Sequence, residues 1–445
     1  MENDLFEKAP IHEAYLKLAI PVVLSMVIQL VYSMVDTYFI ALTHNTALIA
    51  GVSICTPLFT LFLAFGDMIA LGGSSVISRF LGAGRAADVK RLSVFCTYAA
   101  IAFGLFVTVI LMAFKTPILR FLGADDTVIT YAAQYYNFII LGCTFIIYSL
   151  VPSNLLRAVG HPNASMITSV IGAVVNIIFD PIFIFGLGMG AAGAAIATII
   201  GYISSSAYAV WYITTKCDTL SVKPKDFGIH MDEFKMIFAV GLPASVTNFT
   251  QTVGITLTNR SLAPFGSDAI AVMGIVLKIV NIVMLVIVGL AFGGQPLTGY
   301  VFGSGKRDRL KKVLAFAYKI VIGVAAVMAA IVAILAPVLI RAFLKDDALV
   351  DMGVQMLRLQ MPGMVLMGIG LVCICTFQSM GKGLPALILS LCRQGVVYFV
   401  VIYAFSALFG YYGVISAQLG ADVVSVLIAA VLFWVAIRPE IMKKE

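Results

Sequence analysis

Long apolar stretches recur along the chain from Leu18 to Ile437, and short segments rich in glycine, proline and charged residues separate them. Each stretch is about 20 residues long or more and lacks the alternation of barrel strands, which are about 10 residues long, so the pattern predicts helices. A helix of about 20 apolar residues crosses the hydrocarbon core of a bilayer. The pattern therefore predicts an all-α polytopic membrane protein.

The apolar pattern divides into twelve predicted membrane spans. Their ranges are 18–41, 47–78, 91–113, 128–155, 164–186, 189–214, 235–262, 268–300, 313–340, 352–376, 385–407 and 411–437. The composition agrees, since 61% of the residues are hydrophobic and 11% are charged, against about 45–50% and about 25% in soluble domains. A soluble fold has too little interior to bury that apolar surface, so the bilayer must be the solvent.

The net charge of +7 is explained by the placement of the basic residues. When residues at the span ends are counted with the adjoining loop, the two termini and the even-numbered loops carry twenty of the 29 Lys and Arg residues, and the odd-numbered loops carry five. The positive-inside rule then predicts that both termini are cytoplasmic, in a multi-pass protein of the cytoplasmic (inner) membrane. The basic charge reflects the orientation of the chain in the membrane, so we do not expect nucleic-acid binding.

The second half of the chain repeats the first at an offset of about 221 residues. Pro21 matches Pro243, and Gly84 matches Gly305. Further matched pairs are Pro117 with Pro337, Asp125 with Asp346, Gly142 with Gly363, Gly160 with Gly381, and Gly190 with Gly410. Each half holds six spans, an even number, so both halves have the same orientation. The repeat predicts two six-helix bundles related by a pseudo-two-fold axis along the membrane normal.

The repeat also predicts the domain organisation. We expect an N-terminal six-helix lobe over 1–214, a cytoplasmic linker over 215–234 and a C-terminal six-helix lobe over 235–445. Paired repeats of this kind bind their substrate between the halves near the midplane and carry it across by alternating access.

A few acidic residues lie within the predicted spans, where each costs roughly 2.5–3.5 kcal/mol on insertion scales and is a candidate for function. Asp36 and Asp180 lie at similar depths, about 27 and 24 Å along their helices from the cytoplasmic side. Thr198 lies at a comparable level, and Asn176 is one helical turn from Asp180. These four residues predict a polar site in the outer half of the N-terminal lobe.

Two carboxylates in a partly dry cavity suit a bound proton, which relieves their repulsion, and Asp, Asn and Thr oxygens also suit Na⁺. Both H⁺ and Na⁺ remain candidates for the coupling ion. The alternative is that each side chain only bonds a neighbouring helix, and we favour that reading for Asp67 and Asp422. The basic residues Lys278, Arg358 and Arg393 lie within the spans and either snorkel or pair with an acid.

Other features predict little chemistry of their own. Six of the seven cysteines lie in predicted spans, and no metal-ligand spacing is present, so we expect no cofactor and no structural metal. Gly82-Ala83-Gly84 predicts a helix-ending turn rather than a phosphate-binding loop. Pro21, inside span one, removes a backbone hydrogen bond and is either a hinge or a static kink.

Several segments together resemble the multidrug and toxic compound extrusion (MATE) family across nearly the whole chain. They are Pro21, the run Met34 to Ala41, the loop Leu81 to Gly84, the run Asn154 to Gly160, and the run Asn176 to Pro181. The resemblance implies a secondary transporter that exports organic, often cationic and lipophilic, compounds in exchange for H⁺ or Na⁺.

In the branch that this chain resembles, the coupling site is in the N-terminal lobe. The matching positions are Asp36, Asn176, Asp180 and Thr198, with Tyr136 and Asn154 as further cavity positions and Pro21 as the bend. Another branch has acids in spans seven and ten. Here Gln251 stands at the span-seven position, and residues 352–376 contain no acid. We therefore expect no sodium site of that kind and place Gln251 at the substrate cavity.

Two other functions remain alternatives. A flippase of a lipid-linked oligosaccharide needs basic residues for a diphosphate head group, and the predicted cavity is poor in Arg and Lys. A membrane-embedded enzyme or scaffold is the second alternative, but no cluster of His, Cys or acids marks a catalytic centre. The chain is therefore not expected to be an enzyme. Its expected partners are small organic substrates and the lipid bilayer, and we expect a monomer.

Overall fold

The computed structural model describes residues 2–126 and 128–442, and every regular element within them is helical. The first half of the chain contains α1 (Glu2–Glu7), α2 (Ile11–Ala41), α3 (Thr46–Ile54), α4 (Thr56–Gly82), α5 (Ala86–Ala113), α6 (Lys115–Phe121), α7 (Ile129–Leu141), α8 (Cys143–Ala158), α9 (Pro162–Pro181) and α10 (Gly190–Lys216). The second half contains α11 (Met231–Leu262), α12 (Ser267–Gly293), α13 (Gln295–Gly303), α14 (Arg307–Arg341), α15 (Asp347–Ser379), α16 (Gly383–Leu391), α17 (Val397–Ala436) and α18 (Arg438–Met442). Two π-helical segments, Ile182–Gly186 and Cys392–Val396, follow α9 and α16.

The predicted all-α fold with twelve spans is confirmed. Nine helical stretches of the described residues are long and apolar enough to cross a bilayer, and α7 with α8, bent by 45°, makes a tenth. One stretch, Gly383–Ala436, has 54 residues, or about 81 Å of helix, more than twice the thickness of the hydrocarbon core. Gly410 breaks it with φ 55° and ψ −128°, so it forms spans eleven and twelve. Helix α11, of 32 residues, is span seven.

Spans two, four and eight, which the pattern predicts as continuous, are broken in the structure, span eight at Gly294 between α12 and α13. Span two divides at Cys55 between α3 and α4, because a proline, Pro57, occupies the first turn of α4, where its missing N–H is tolerated. Span four divides at Gly142 between α7 and α8. The side chain of Ile199 fills the space that a Cβ at Gly142 would need, so α10 packs closely at this bend.

Glycines at matching positions of the two repeats adopt the same left-handed backbone. Gly84 and Gly305 have φ of 74° and 76°, and each follows the helix that ends at the matching place. The predicted helix-ending turn at Gly84 is thereby confirmed. Two further matched pairs, Gly160 with Gly381 and Gly190 with Gly410, also have positive φ. Only glycine adopts this conformation without a steric cost, which explains why these markers identify the repeat.

The chain forms two compact units. One is built from Leu24–Gly241, and the other from Asn3–Val23 together with the described chain from Leu242 onward. The divisions fall inside α2, two residues after Pro21, and inside α11, two residues before Pro243. The lobe boundaries predicted at 214 and 234 lie close to the ends of the linker between α10 and α11, and they stay a prediction.

Small residues bring helices close together within the first unit. Gly201 of α10 lies against Gly172 of α9, and a Cβ at Gly201 would come within 2.7 Å of the Gly172 carbonyl oxygen. Close backbone approach through small residues is a common way of packing helices in membranes. It places the polar side chains one turn further along α9 next to those of α10. In the second unit, α15 is buried along most of its length and contacts α12, α14 and α17.

Candidate functional site

Asp36 of α2 and Asp180 of α9 come together in the first unit. Asp180 is completely buried, and its carboxyl group lies within hydrogen-bonding reach of that of Asp36. No N–H or O–H group of the described residues donates to either oxygen of Asp180 or to Oδ1 of Asp36. A carboxylate has no proton to donate, so a hydrogen bond between the two groups requires a proton on one of them. The pair presents buried oxygens that a proton or a small cation would satisfy.

Asn176 and Thr198 form the second part of the cluster. The Nδ2 atom of Asn176 donates to Oγ1 of Thr198 over 3.3 Å, and Thr198 donates to the Ala194 carbonyl over 3.0 Å. This leaves Oδ1 of Asn176 buried and without a donor, one turn from Asp180 on the same face of α9. The predicted set of Asp36, Asn176, Asp180 and Thr198 is thus assembled from α2, α9 and α10.

Three tyrosines that the sequence analysis did not single out surround this cluster. Tyr32 of α2 contacts the Thr198 hydroxyl, and Tyr202 of α10 contacts the side chain of Gln29. Tyr135 of α7 lies close enough to both Asp36 and Asp180 to interact electrostatically with them. Helical spacing was the available signal for two of them, because Tyr32 is four residues before Asp36 and Tyr202 four residues after Thr198.

A cavity of about 80 Å³ adjoins the cluster within the first unit. Its lining residues are Gln29, Tyr32, Leu63, Ser149, Leu150, Ser153, Thr168, Ser169, Gly172, Ala173, Asn176, Thr198, Gly201, Tyr202 and Ser205. A polar cavity of this size has room for more than one water molecule. Hydroxyl and amide side chains line the cavity from Asn176 to Thr168, which lies near the start of α9. Asn176 and Thr198 of the cluster therefore face this cavity, whereas Asp36 and Asp180 are not among its lining residues.

Two of the predicted cavity residues have other contacts. The Tyr136 hydroxyl donates to the Leu111 carbonyl over 2.5 Å, and the side chain is completely buried between α7 and α5. Asn154 donates to the Leu150 carbonyl over 2.8 Å and accepts a hydrogen bond from Arg157. Neither lines the cavity, although Leu150 and Ser153 do. The structure brings the neighbour, Tyr135, to the acids instead of Tyr136.

The remaining predicted positions lie outside the cluster. Gln251 is in the second unit, where its Nε2 atom is 4.0 Å from the sulfur of Met284. Pro21 lies inside α2, close to the point where this helix passes from the second unit to the first. Among the described residues, no group of three or more His, Cys, Asp or Glu side chains forms a metal-binding cluster.

Sequence comparison places both repeats in one known family. The family model described as MatE matches residues 21–182 and 243–404. The chain is 31% identical over 430 residues to the Multidrug export protein MepA of Staphylococcus aureus (strain MRSA252), covering 96% of this chain and 95% of the relative. It is also 31% identical over 424 residues to the protein of that name from Staphylococcus haemolyticus (strain JCSC1435), covering 95% and 93% of the two chains.

Structural comparison gives the same fold. A crystal structure described as MATE in the straight conformation matches with a TM-score of 0.92 and 24% identity, covering 98% of both chains. The outward-facing conformation of a multidrug resistance MATE family transporter matches with a TM-score of 0.90 and 24% identity, covering 99% of this chain and 98% of the other. The twelve-span architecture is therefore shared with solved transporters.

Proposed function

This chain belongs to the MatE family, and on that premise we propose that it is a multidrug exporter driven by the exchange of H⁺ or Na⁺. Its substrates are organic compounds, often cationic and lipophilic, as the resemblance to the family implies, and its staphylococcal relatives are named multidrug export proteins. The twenty-to-five bias of basic residues supports a cytoplasmic membrane location with both termini in the cytoplasm. Transport by alternating access, as a monomer, belongs to the same proposal.

The unpartnered oxygens of Asp36, Asn176 and Asp180 are the observation that carries the coupling proposal. Buried polar atoms in proteins nearly always have partners, and a proton or a cation would satisfy these oxygens, which lie close together. H⁺ would bridge the two carboxyl groups, and Na⁺ would be held by the oxygens of the same cluster. Thr198 acts on the site through Asn176, because its hydroxyl fixes the amide so that Oδ1 is left free.

The second unit lacks such a site among its described residues. Its buried acid in span twelve, Asp422, is already paired with Arg393. This supports coupling in the first unit, in keeping with the expectation that the second unit has no sodium site built from acids in spans seven and ten. Few Lys and Arg residues lie within the predicted spans, so a cavity between the spans offers little positive charge for the diphosphate of a lipid-linked oligosaccharide. The export of organic compounds is the better-supported function.

Reconstitution into liposomes tests the proposal directly. We expect extrusion of a fluorescent organic cation driven by a pH gradient or by a Na⁺ gradient, and the effective gradient identifies the ion. Asp180→Asn should reduce gradient-driven transport by about tenfold or more, because coupling energies between sites are of that order. The control is Asp268→Asn, which changes an exposed acid at the start of α12. Wild-type protein that moves no cation with either gradient would refute the proposal.

Pro21 is proposed as the bend point of α2. Its ring removes a helical hydrogen bond at the place where the helix changes unit. Pro21→Ala restores the N–H and should slow transport without lowering the melting temperature. An unchanged rate would show that the proline forms only a static kink.

A further inference from the structure

Lys319 is a lysine on the surface of a membrane-spanning helix in the second unit. It lies on α14, 12 residues after the first residue of the helix, and its side chain is exposed. The predicted span begins six residues earlier, so the Cα atom is about 9 Å inside the apolar segment. No acidic side chain of the described part of the chain pairs with it.

An apolar groove adjoins Lys319 on the same helix. It has a volume of about 360 Å³, and besides Lys319 it is lined by Phe316, Ile320, Gly323, Val324, Val327 and Met328. These residues recur every three or four positions, so the groove runs along one face of α14. A Cβ at Gly323 would have no heavy atom within 4 Å, so the glycine leaves open space in the middle of the groove.

The direction of the lysine side chain follows from helix geometry. Side chains on a helix lean toward its N-terminus, and α14 begins in a basic loop region, with Lys306 as its N-cap and Arg307 and Arg309 in its first turn. The Lys319 ammonium group is therefore directed toward the head-group layer next to this loop, while the groove continues toward the membrane centre. A long lysine chain commonly places its charge at the interface in this way.

We propose that Lys319 and this groove bind one anionic phospholipid. The lipid phosphate contacts the Lys319 ammonium group, and an acyl chain lies along the groove over Gly323. Lys312, seven residues earlier on the same face and also exposed, adds a second positive charge on the head-group side. The ammonium group has no protein counter-ion where it reaches the head-group layer, and an anionic lipid supplies both a counter-ion there and an apolar chain for the groove.

A lipid fits this surface better than a second helix does. The groove is formed by one helix face alone and has a single ionisable group at one end. That arrangement complements a molecule with one charged end and a long apolar chain. Basic residues near the cytoplasmic surface attract anionic lipids in general. The site does not depend on the proposed transport function.

Lipid titration of the purified full-length chain tests the charge. Native mass spectrometry should show that phosphatidylglycerol is retained more strongly than phosphatidylcholine. Lys319→Gln should weaken phosphatidylglycerol binding about fivefold, which is the usual contribution of one basic residue near an anionic membrane surface. Lys319→Arg should retain the preference. The matched control is Lys311→Gln, because that exposed lysine is already paired with Asp308 at 3.0 Å.

A second variant tests the groove without changing the charge. Gly323→Leu adds a side chain at a position where a Cβ meets no heavy atom within 4 Å and should weaken phosphatidylglycerol binding, whereas Gly274→Leu, at an equally open position of α12, should not. The proposal is overturned if wild-type protein binds the two lipids equally, or if folded Lys319→Gln protein binds phosphatidylglycerol as the wild type does. A wild-type dimer that Gly323→Leu dissociates would assign the groove to a second copy and would also overturn it.

Discussion

The Nε atom of Arg393 lies 3.0 Å from Oδ1 of Asp422, in the unit that does not contain Asp36 and Asp180. The Nε2 atom of Gln418 donates to the same oxygen over 3.2 Å, while Oδ2 faces Gly363 without a donor. The arginine belongs to the π-helical segment between α16 and α17. The two units therefore use their buried acids differently, since Asp180 faces another acid and Asp422 faces a base.

Removing one partner of the Arg393–Asp422 pair should lower the stability strongly, whereas replacing both partners should lower it little. Its side chains are only 14% and 1% exposed. Arg393→Gln leaves an uncompensated buried carboxylate and should lower the stability by about 3–5 kcal/mol, as for other buried pairs. The double variant Arg393→Gln with Asp422→Asn removes both charges and should recover most of that loss. Thermal unfolding in detergent, arranged as a double-mutant cycle, measures both effects.

An exposed pair of the same length provides the control. Arg341 and Asp347 are also 3.0 Å apart, but their side chains are 67% and 86% exposed. Breaking that pair should change the stability by less than about 1 kcal/mol, because water screens it. Equal losses of stability for Arg393→Gln and Arg341→Gln would show that burial in the second unit does not strengthen the Arg393–Asp422 contact.

Tyr135 and Tyr136 should separate coupling from stability, although they are neighbours in the chain. Tyr135 interacts with both acids of the cluster, so Tyr135→Phe should change the ion dependence of transport by about three- to tenfold, within the usual range of coupling energies. Tyr136→Phe removes the bond to the Leu111 carbonyl and should destabilise the protein by about 1 kcal/mol. Its ion dependence should stay that of the wild type.

Transport at several pH values and Na⁺ concentrations, together with melting curves, checks this pair of variants. The opposite result, with Tyr136→Phe altering the ion dependence and Tyr135→Phe altering only the melting temperature, would mean that the coupling site contains Tyr136. That outcome would restore the cavity position which the family resemblance implies for Tyr136.

Gly201 should be intolerant of even one added methyl group. A Cβ there would lie 2.7 Å from the Gly172 carbonyl oxygen and 3.3 Å from Cβ of Asn176. Gly201→Ala should therefore force α9 and α10 apart, cost about 1–3 kcal/mol through overpacking, and reduce coupled transport by displacing Asn176 from Thr198. Melting temperature and gradient-driven efflux are the measurements.

Gly323→Ala is the matched control for Gly201→Ala. Nothing lies within 4 Å of a Cβ at Gly323, so alanine should stabilise α14 by about 0.5–1 kcal/mol through its higher helix propensity. If both alanine variants raise the melting temperature, the close contact between α9 and α10 is not needed to hold the cluster together.

Much of the site could be predicted from the sequence, because the depth of a residue in the membrane follows from its distance along the helix from the nearest loop. A helix rises by about 1.5 Å per residue, and the loops mark where each span begins, so Asp36, Asp180 and Thr198 were expected at one level. The spacing of Asn176 and Asp180 placed them on one face of α9. The structure brings all four residues into one cluster of the first unit, while the role of that cluster in coupling stays a proposal.

The position around the helix axis was harder to predict than the depth. Adjacent residues of a helix point about 100° apart, so Tyr135 and Tyr136 have similar depth and composition but different neighbours. Which of them faces the acids depends on how α7 packs against α5 and α2. The same holds for Asp422, whose partner lies 29 residues away in a π-helical segment.

The sequence alone determined that the helices lie in a bilayer, how many of them span it, and that the second half of the chain repeats the first. The length of the apolar stretches, the distribution of basic residues and the glycines that require positive φ are local properties. None of them depends on contacts between helices that are distant in the chain. The tertiary structure decided which polar groups find partners, because that depends on contacts between helices distant in the chain. It left Oδ1 of Asp36 and both carboxyl oxygens of Asp180 without donors, paired Asp422 with Arg393, and exposed Lys319 on the surface of α14.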